Sequence, residues 1–436
     1  MRVRFSPWLC LLVLAAIGLF PATSRSEVRH VIAISVDGLR GDFLQTFIDT
    51  APATFPNFVR LRNASAFTYN ARCDYGYSIT IPDHLCMLTG RPVSTSGGAA
   101  LSATHGVTSD SPAATDTVHV YAASSGVNSG PYKASVFDVV HDHGLSTALY
   151  LGKDRLSICT RSWNATNGAL DVTGADNGRN KVDTFQLVEA SGNATATPGM
   201  VNALVAAIQN STLRNFTFLH IADTDYAGHS GNWSTAVGSA YRNGIITADG
   251  WLGQILNALE GNASLAGKVA IMLTADHGGG GGGFLNAHTM AGYQENFTIP
   301  FFLSAPGLPG GSNLYGAFEN RAAPVATSRP FYTDASQPVR NGDVANLATA
   351  LLGLPPVPGS LIRPELKRPL TITRGGNFIT VAWPSYLTGH TLEYIDDLNG
   401  TTWTTVTSGI AEAAGQKSHT FTYPPPDRRH FRLRRP

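Results

Sequence analysis

Two rhythms of apolar and polar positions divide this 436-residue chain. Up to about Pro364, short and wholly apolar runs recur, each too short for a helix and each closed by polar residues or glycine. Such runs read as strands buried on both faces, as inside a parallel sheet. Val31 to Val36 ends in Asp37-Gly38. Asn215 to Ile221 leads into Asp223-Thr224-Asp225-Tyr226-Ala227-Gly228-His229. Val269 to Leu273 leads to Asp276, His277 and six consecutive glycines. Between the last two runs, Val237, Tyr241, Ile245, Ala248, Leu252, Ile255 and Leu259 recur every three to four residues. That spacing predicts an amphipathic helix over residues 234–260, stopped by Gly261-Asn262. Residues 135–141 read as a shorter helix, with His141 and His143 solvated or capping. Past Pro364 the rhythm becomes alternating, at residues 370–373, 378–383, 391–394, 403–406 and 419–423. This is an all-β pattern, and it predicts a small sandwich. Trp383 and Trp403 read as its core or as a sugar platform, core being the commoner use of large aromatics.

The expected fold is thus α/β with a mostly parallel central sheet over residues 27–364, followed by a β-sandwich over residues 365–436. An apolar share of 43% supports a large core, and a net charge of +1 argues against a nucleic-acid surface. Residues 1–26 combine Arg2 and Arg4, an apolar stretch and then Ala22-Thr23-Ser24, the layout of a cleavable secretory signal. An exported protein, periplasmic or secreted and without a membrane span, is expected. Export permits disulfides, but Cys73, Cys86 and Cys159 cannot all pair, and sequence does not choose among them. Asn164, Asn193 and Asn232 head glycosylation sequons that matter only in a glycosylating host.

Three strands each delivering an aspartate at the same end, two of them with a histidine, outline a divalent-metal site. The mixture of nitrogen and oxygen donors favours zinc over magnesium or calcium. One such Asp alone is equally well a helix N-cap; three together are harder to explain that way. A further stretch, Tyr77-Ser78-Ile79-Thr80-Ile81-Pro82-Asp83-His84-Leu85, places Thr80 at a helix start, since Pro82 suits a first turn. Free N–H groups there suit a phosphate, and a hydroxyl there could attack one. On this stretch alone, a capping role for Thr80 is the commoner one.

Together the motifs resemble the alkaline phosphatase superfamily, in its type I phosphodiesterase/nucleotide pyrophosphatase branch. Asp37-Gly38, Thr80-Ile81-Pro82-Asp83-His84, Asp225 to His229, Asp276-His277-Gly278 and His288 stand in that family's order. The resemblance covers Val31 to Pro356. It implies a three-layer catalytic domain and two divalent ions, of which zinc is the expected identity. It also implies a small-molecule phosphate ester or diester as substrate. Asp37, Thr80, Asp276 and His277 would form one metal site; Asp225, His229 and His288 would form the other. Thr80 would be the nucleophile, passing through a phosphothreonine.

Departures matter too. Asp83 stands where the family often has Asn. The family's phosphoryl-binding Asn is replaced by the Thr108-Ser109-Asp110 stretch, which makes Asp110 a candidate at the substrate; a carboxylate there would repel phosphate, so either another donor serves or the loop points away. Lys153 is a candidate phosphate ligand, although a lysine just past a strand is more often solvated. Phosphomonoesterase and sulfatase activities are the rival readings. The sulfatase reading is disfavoured because Thr80 cannot become formylglycine and His84 replaces the expected Arg. A metal-stabilised binding protein without catalysis is the rival from another class.

Overall fold

The computed structural model describes residues 28–123, 126–129, 131–172, 178–187, 197–422 and 428–435. The secretory signal read over residues 1–26 and the sequon at Asn193 lie outside the described residues.

Eight strands form the central sheet: β1 His30–Val36, β2 Ala66–Arg72, β3 Thr147–Leu151, β4 Thr184–Leu187, β5 Phe216–Ile221, β6 Val269–Thr274, β7 Thr298–Ser304 and β8 Ser312–Asn313. Their spatial order is β8-β2-β7-β6-β1-β5-β3-β4. Pairing is parallel throughout except where β7 meets β6 and β2. The three motif-bearing strands are the central neighbours β6-β1-β5. They run in register, Ser35 facing Thr274 on one side and His220 on the other. Their apolar side chains are buried on both faces, which is why they read as continuous apolar runs rather than alternating ones.

Two groups of helices cover the sheet. Pro56–Ala64, Thr197–Gln209, Asp223–Gly231 and Ala240–Gly261 pack on one another, while Thr80–Thr89, Val136–Asp142 and Asp343–Leu351 form a second group. The long helix starts six residues later than its apolar spacing predicts. Ser239 caps it by accepting from the Arg242 N–H, and Gly238 before it takes a positive φ. Val237 therefore lies outside the helix and fully in solvent instead of on its buried face. The Val136–Asp142 helix is opened by a capping box between Ser135 and Asp138.

Beyond residue 370, four strands (Thr371–Gly375, Phe378–Pro384, Gln416–Thr422, Ile410–Ala413) and three (Thr404–Thr405, Thr391–Ile395, His430–Arg434) make two antiparallel sheets. Trp383 is buried, a core residue. Trp403 is half-buried under the Arg432 guanidinium, 4.1 Å from the ring centre. All three described cysteines are free and buried. No helix of the described residues is long and apolar enough to cross a membrane.

Candidate active site

The C-terminal ends of β1, β5 and β6 lie side by side, so Asp37, Asp225 and Asp276 converge. Open α/β sheets build their sites at this edge. Close approach has a local cause: Gly38 has φ 70°, and a Cβ there would sit 3.0 Å from the Asp225 Cα. Further on, Trp233 lies flat against Gly279, where an added Cβ would meet the indole at 2.1 Å. Part of the glycine run is thus a seat for a ring beside the site.

Six of the seven residues read as metal ligands come together in two sets. Asp37, Asp276 and His277 form one and Asp225, His229 and His288 the other, with ligand atoms within 4.8 Å of each other in each set. Every histidine in them has its Nδ1 against a backbone carbonyl: His277 on Gly278 (2.8 Å), His229 on Asn286 (2.8 Å) and His288 on Ser78 (2.7 Å). A carbonyl only accepts, so each Nδ1 carries the proton and each Nε2 presents a lone pair. Those Nε2 atoms face the carboxylates, at 3.2 Å for His277 to Asp276 and 3.5 Å for His229 to Asp225. His288 is buried and stacks on His277 with centroids 3.7 Å apart.

Each carboxylate divides its oxygens. Asp37 Oδ2 accepts from His220 Nε2 (2.9 Å) and pairs with Lys153 (2.6 Å). Asp225 Oδ2 pairs with Lys153 (2.6 Å), and Asp276 Oδ1 accepts from the Gly38 and His277 N–H groups. The remaining oxygens, Asp37 Oδ1, Asp225 Oδ1 and Asp276 Oδ2, are buried without a hydrogen-bond partner, as is His277 Nε2. Burying such atoms unpaired is costly, and a cation at each set would satisfy all of them. The donor chemistry fits divalent ions of the zinc type. Burial opposes ionisation of Asp37, yet Lys153 and His220 hold its carboxyl well below the usual range. Asp276 moves the other way, raised by burial and by the charge of Asp37.

Thr80 is the first residue of its helix and is buried beside these sets. Lys153 Nζ lies 3.5 Å from its hydroxyl. Lys153 is therefore no solvated lysine, but a buried one bridging the two ligand sets. Asp83 braces the same helix start, accepting from the Asp74 and Ile79 N–H groups and from Asn341. Asp110 does not point away either. Its Oδ1 accepts the Ile81 N–H at 2.7 Å and its Oδ2 pairs with Arg155 at 2.9 Å, so one N–H that a phosphate could have used is already taken.

Three further residues support the site, and only His84 among them lies in one of the sequence motifs. His220 fixes Asp37, its own tautomer set by the Gly152 N–H on Nδ1. His84 donates from Nδ1 to the Thr80 carbonyl and accepts from the Ser35 hydroxyl, and burial holds its pKa well below the ordinary value. Ser35 is the third. The available signal was a polar residue inside each of two apolar strands, at positions that pair across the sheet.

Residues 31–282, more than half of the chain, match the type I phosphodiesterase / nucleotide pyrophosphatase family. The chain belongs to that family. No curated protein matches it. Among solved structures it is similar to murine ectonucleotide pyrophosphatase/phosphodiesterase 5, at 12% identity over 76% of this chain and 96% of that one, with TM-score 0.48. A 2-O GAG sulfatase aligns at 10% identity over 91% and 85%, with TM-score 0.48. An alkaline phosphatase superfamily protein from Vibrio parahaemolyticus aligns at 11% over 88% and 83%, with TM-score 0.47.

Proposed function

We propose that this family member is an exported two-metal phosphoric ester hydrolase acting through a covalent phosphothreonine at Thr80. The observation that carries the reading is the convergence of four unpartnered buried ligand atoms beside a buried hydroxyl. Asp37, Thr80, Asp276 and His277 would hold one divalent ion, and Asp225, His229 and His288 the other. Such ions supply Lewis acidity at both the attacking and the leaving oxygen.

The chain's own residues supply the rest. Lys153, 3.5 Å from the Thr80 hydroxyl, favours its ionised form. His84 and Asp83 fix the helix start, so the oxygen is held in place before substrate arrives. Thr80 Oγ attacks phosphorus in line, forming a P–O bond as the bond to the leaving alcohol breaks. That alcohol takes its proton from solvent on the open side, where His229 is 44% exposed. Water then attacks the phosphothreonine, the bond to Oγ breaks, and phosphate or a phosphomonoester departs. Zinc follows from the donor set, export from the pattern of residues 1–26, and residues 365–436 would be an accessory module.

The test is a screen of the purified protein over phosphomonoesters, phosphodiesters, phosphonates and sulfate esters, with elemental analysis alongside. Turnover of a phosphate ester with close to two ions per chain, mainly zinc, is expected. Full activity in a metal-free preparation overturns the reading. Bound metal with no turnover of any ester would favour a binding protein instead.

A further inference from the structure

The hydrolase reading leaves open how many charges the preferred phosphoryl group carries, and the mouth of the site bears on that. We infer that Asp110 is a specificity-determining residue that sets the site against doubly charged phosphoryl groups, so that diesters are turned over in preference to monoester dianions. The inference rests on the ester-hydrolase reading above.

Its first ground is position. Asp110 Oδ1 lies 2.7 Å from the Ile81 N–H, the peptide that follows Thr80. A helix-start N–H beside the nucleophile is a natural donor to a phosphoryl oxygen. Here a carboxylate occupies it.

The second ground is the fate of the nearby cations. Arg155 Nη1 is 2.9 Å from Asp110 Oδ2, so this guanidinium is paired to the chain's own anion. Lys153 is likewise shared between Asp37 and Asp225. Neither offers an unshared positive charge to a second phosphoryl negative charge.

The third is access. Asp110 and Arg155 are only partly covered, at 21% and 43% side-chain exposure. They line a cavity of about 400 Å³ together with Ser111, Asp154, Ser157 and Arg161. An ester that reaches the Ile81 N–H beside Thr80 meets the Asp110 carboxylate there. A diester brings one negative charge and a monoester near neutral pH up to two. At this range, within a Debye length, salt screens the extra repulsion only in part.

The test compares the metal-loaded parent with D110N and R155M on p-nitrophenyl phosphate and methyl p-nitrophenyl phosphate. D110N keeps an oxygen for the Ile81 N–H, removes the charge and puts an amide NH2 where Oδ2 met Arg155. Its monoester-to-diester ratio of kcat/KM should rise by about tenfold, the scale of one partly screened charge contact. R155M, which leaves Asp110 without its partner, should move the ratio the other way. Calorimetry with inorganic phosphate gives a readout free of turnover. D110N should bind it more tightly than the parent, by a larger factor at about pH 8 than at about pH 5.5, where the monoanion prevails. An unchanged ratio in both variants, with unchanged phosphate binding, overturns the inference and leaves the hydrolase standing. Failure of the parent to hydrolyse either ester overturns the hydrolase reading, and the inference with it.

Discussion

Lys153 and Lys181 are both sealed from solvent among carboxylates with a histidine near by, yet they sit in clusters of opposite kinds. Lys181 meets Asp171, Asp142 (3.1 Å) and the Gly178 carbonyl (3.0 Å), while His141 Nδ1 lies 3.0 Å from Asp171. None of these four side chains has a buried polar atom left without a partner. His141 is accordingly not a solvated residue but part of a closed ionic core, whereas His143 caps by donating to the Val139 carbonyl. Around Lys153, one oxygen of each of three aspartates stays unpaired. The two clusters lie at opposite ends of β3: Asp183, beside His141, accepts from Thr147 at the strand's start, and Lys153 follows its last residue, Leu151. Buried charge alone therefore does not mark a site. Unfinished hydrogen bonding at the C-terminal edge of the sheet does.

The largest expected effects fall on the unfinished cluster. A threonine hydroxyl is a poor nucleophile unless its proton is displaced, so Thr80→Ala should lower the rate by about three orders of magnitude or more. Fold and metal content should stay. Thr80→Ser, which keeps the oxygen, should retain much more activity, and acid trapping should leave label on Thr80. Near-parental hydrolysis by Thr80→Ala would mean that water attacks directly. Asp276→Asn should lose at least one ion by elemental analysis and abolish turnover. Because burial and Asp37 already oppose its ionisation, the same change should raise the unfolding temperature of the metal-free protein. A lowered temperature there would contradict the account of the unpaired oxygens.

Much of this was legible beforehand, for a physical reason. Strands buried on both faces must be apolar throughout, so Val31–Val36, Phe216–Ile221 and Val269–Thr274 stand out, and the chemistry sits where each run stops. The parts that were not legible depend on packing between segments distant in sequence. His220 and Ser35 matter because β1 and β5 pair in register. Lys153 is buried because two other strands deliver Asp37 and Asp225 to it. The late start of the long helix was set by one cap, Ser239, which apolar spacing does not register. The strands Ile410–Ala413 and His430–Arg434 are only four and five residues long, so even the alternation of Phe431 and Leu433 with arginines is too brief to stand out alone.

Removing each lysine in turn separates the clusters by readout. Lys181→Met strands Asp142 and Asp171 and should cost about 3–5 kcal/mol in denaturant unfolding, with kcat/KM on a small ester unchanged. In the metal-loaded enzyme, Lys153→Met should do the reverse. It should lose about a hundredfold in kcat/KM, as when one preorganised donor is removed, with little change in the unfolding midpoint. Equal stability losses in the two variants would erase the distinction drawn here.

The smallest expected effect on catalysis comes from cutting the chain near Arg363. Asn341, whose amide reaches Asp83 and the Asp276 carbonyl, is the most C-terminal of the supports described, and it is kept. The module nevertheless packs on the larger unit. Arg435 donates to the Leu354 carbonyl, Lys367 N–H to the Ala317 carbonyl, and Gly307 lies so close to Gly415 that a Cβ would meet its carbonyl oxygen. Leu352 and Leu354, both buried in the intact chain, belong to an apolar core continuous with Trp383, Tyr386 and Leu387. Exposing each such leucine costs about 1.5–3 kcal/mol. The shortened protein should therefore turn over small esters at the parental rate while unfolding a few degrees lower. A folded, fully metallated truncation without activity would show that the sandwich reaches the site through contacts absent from those described.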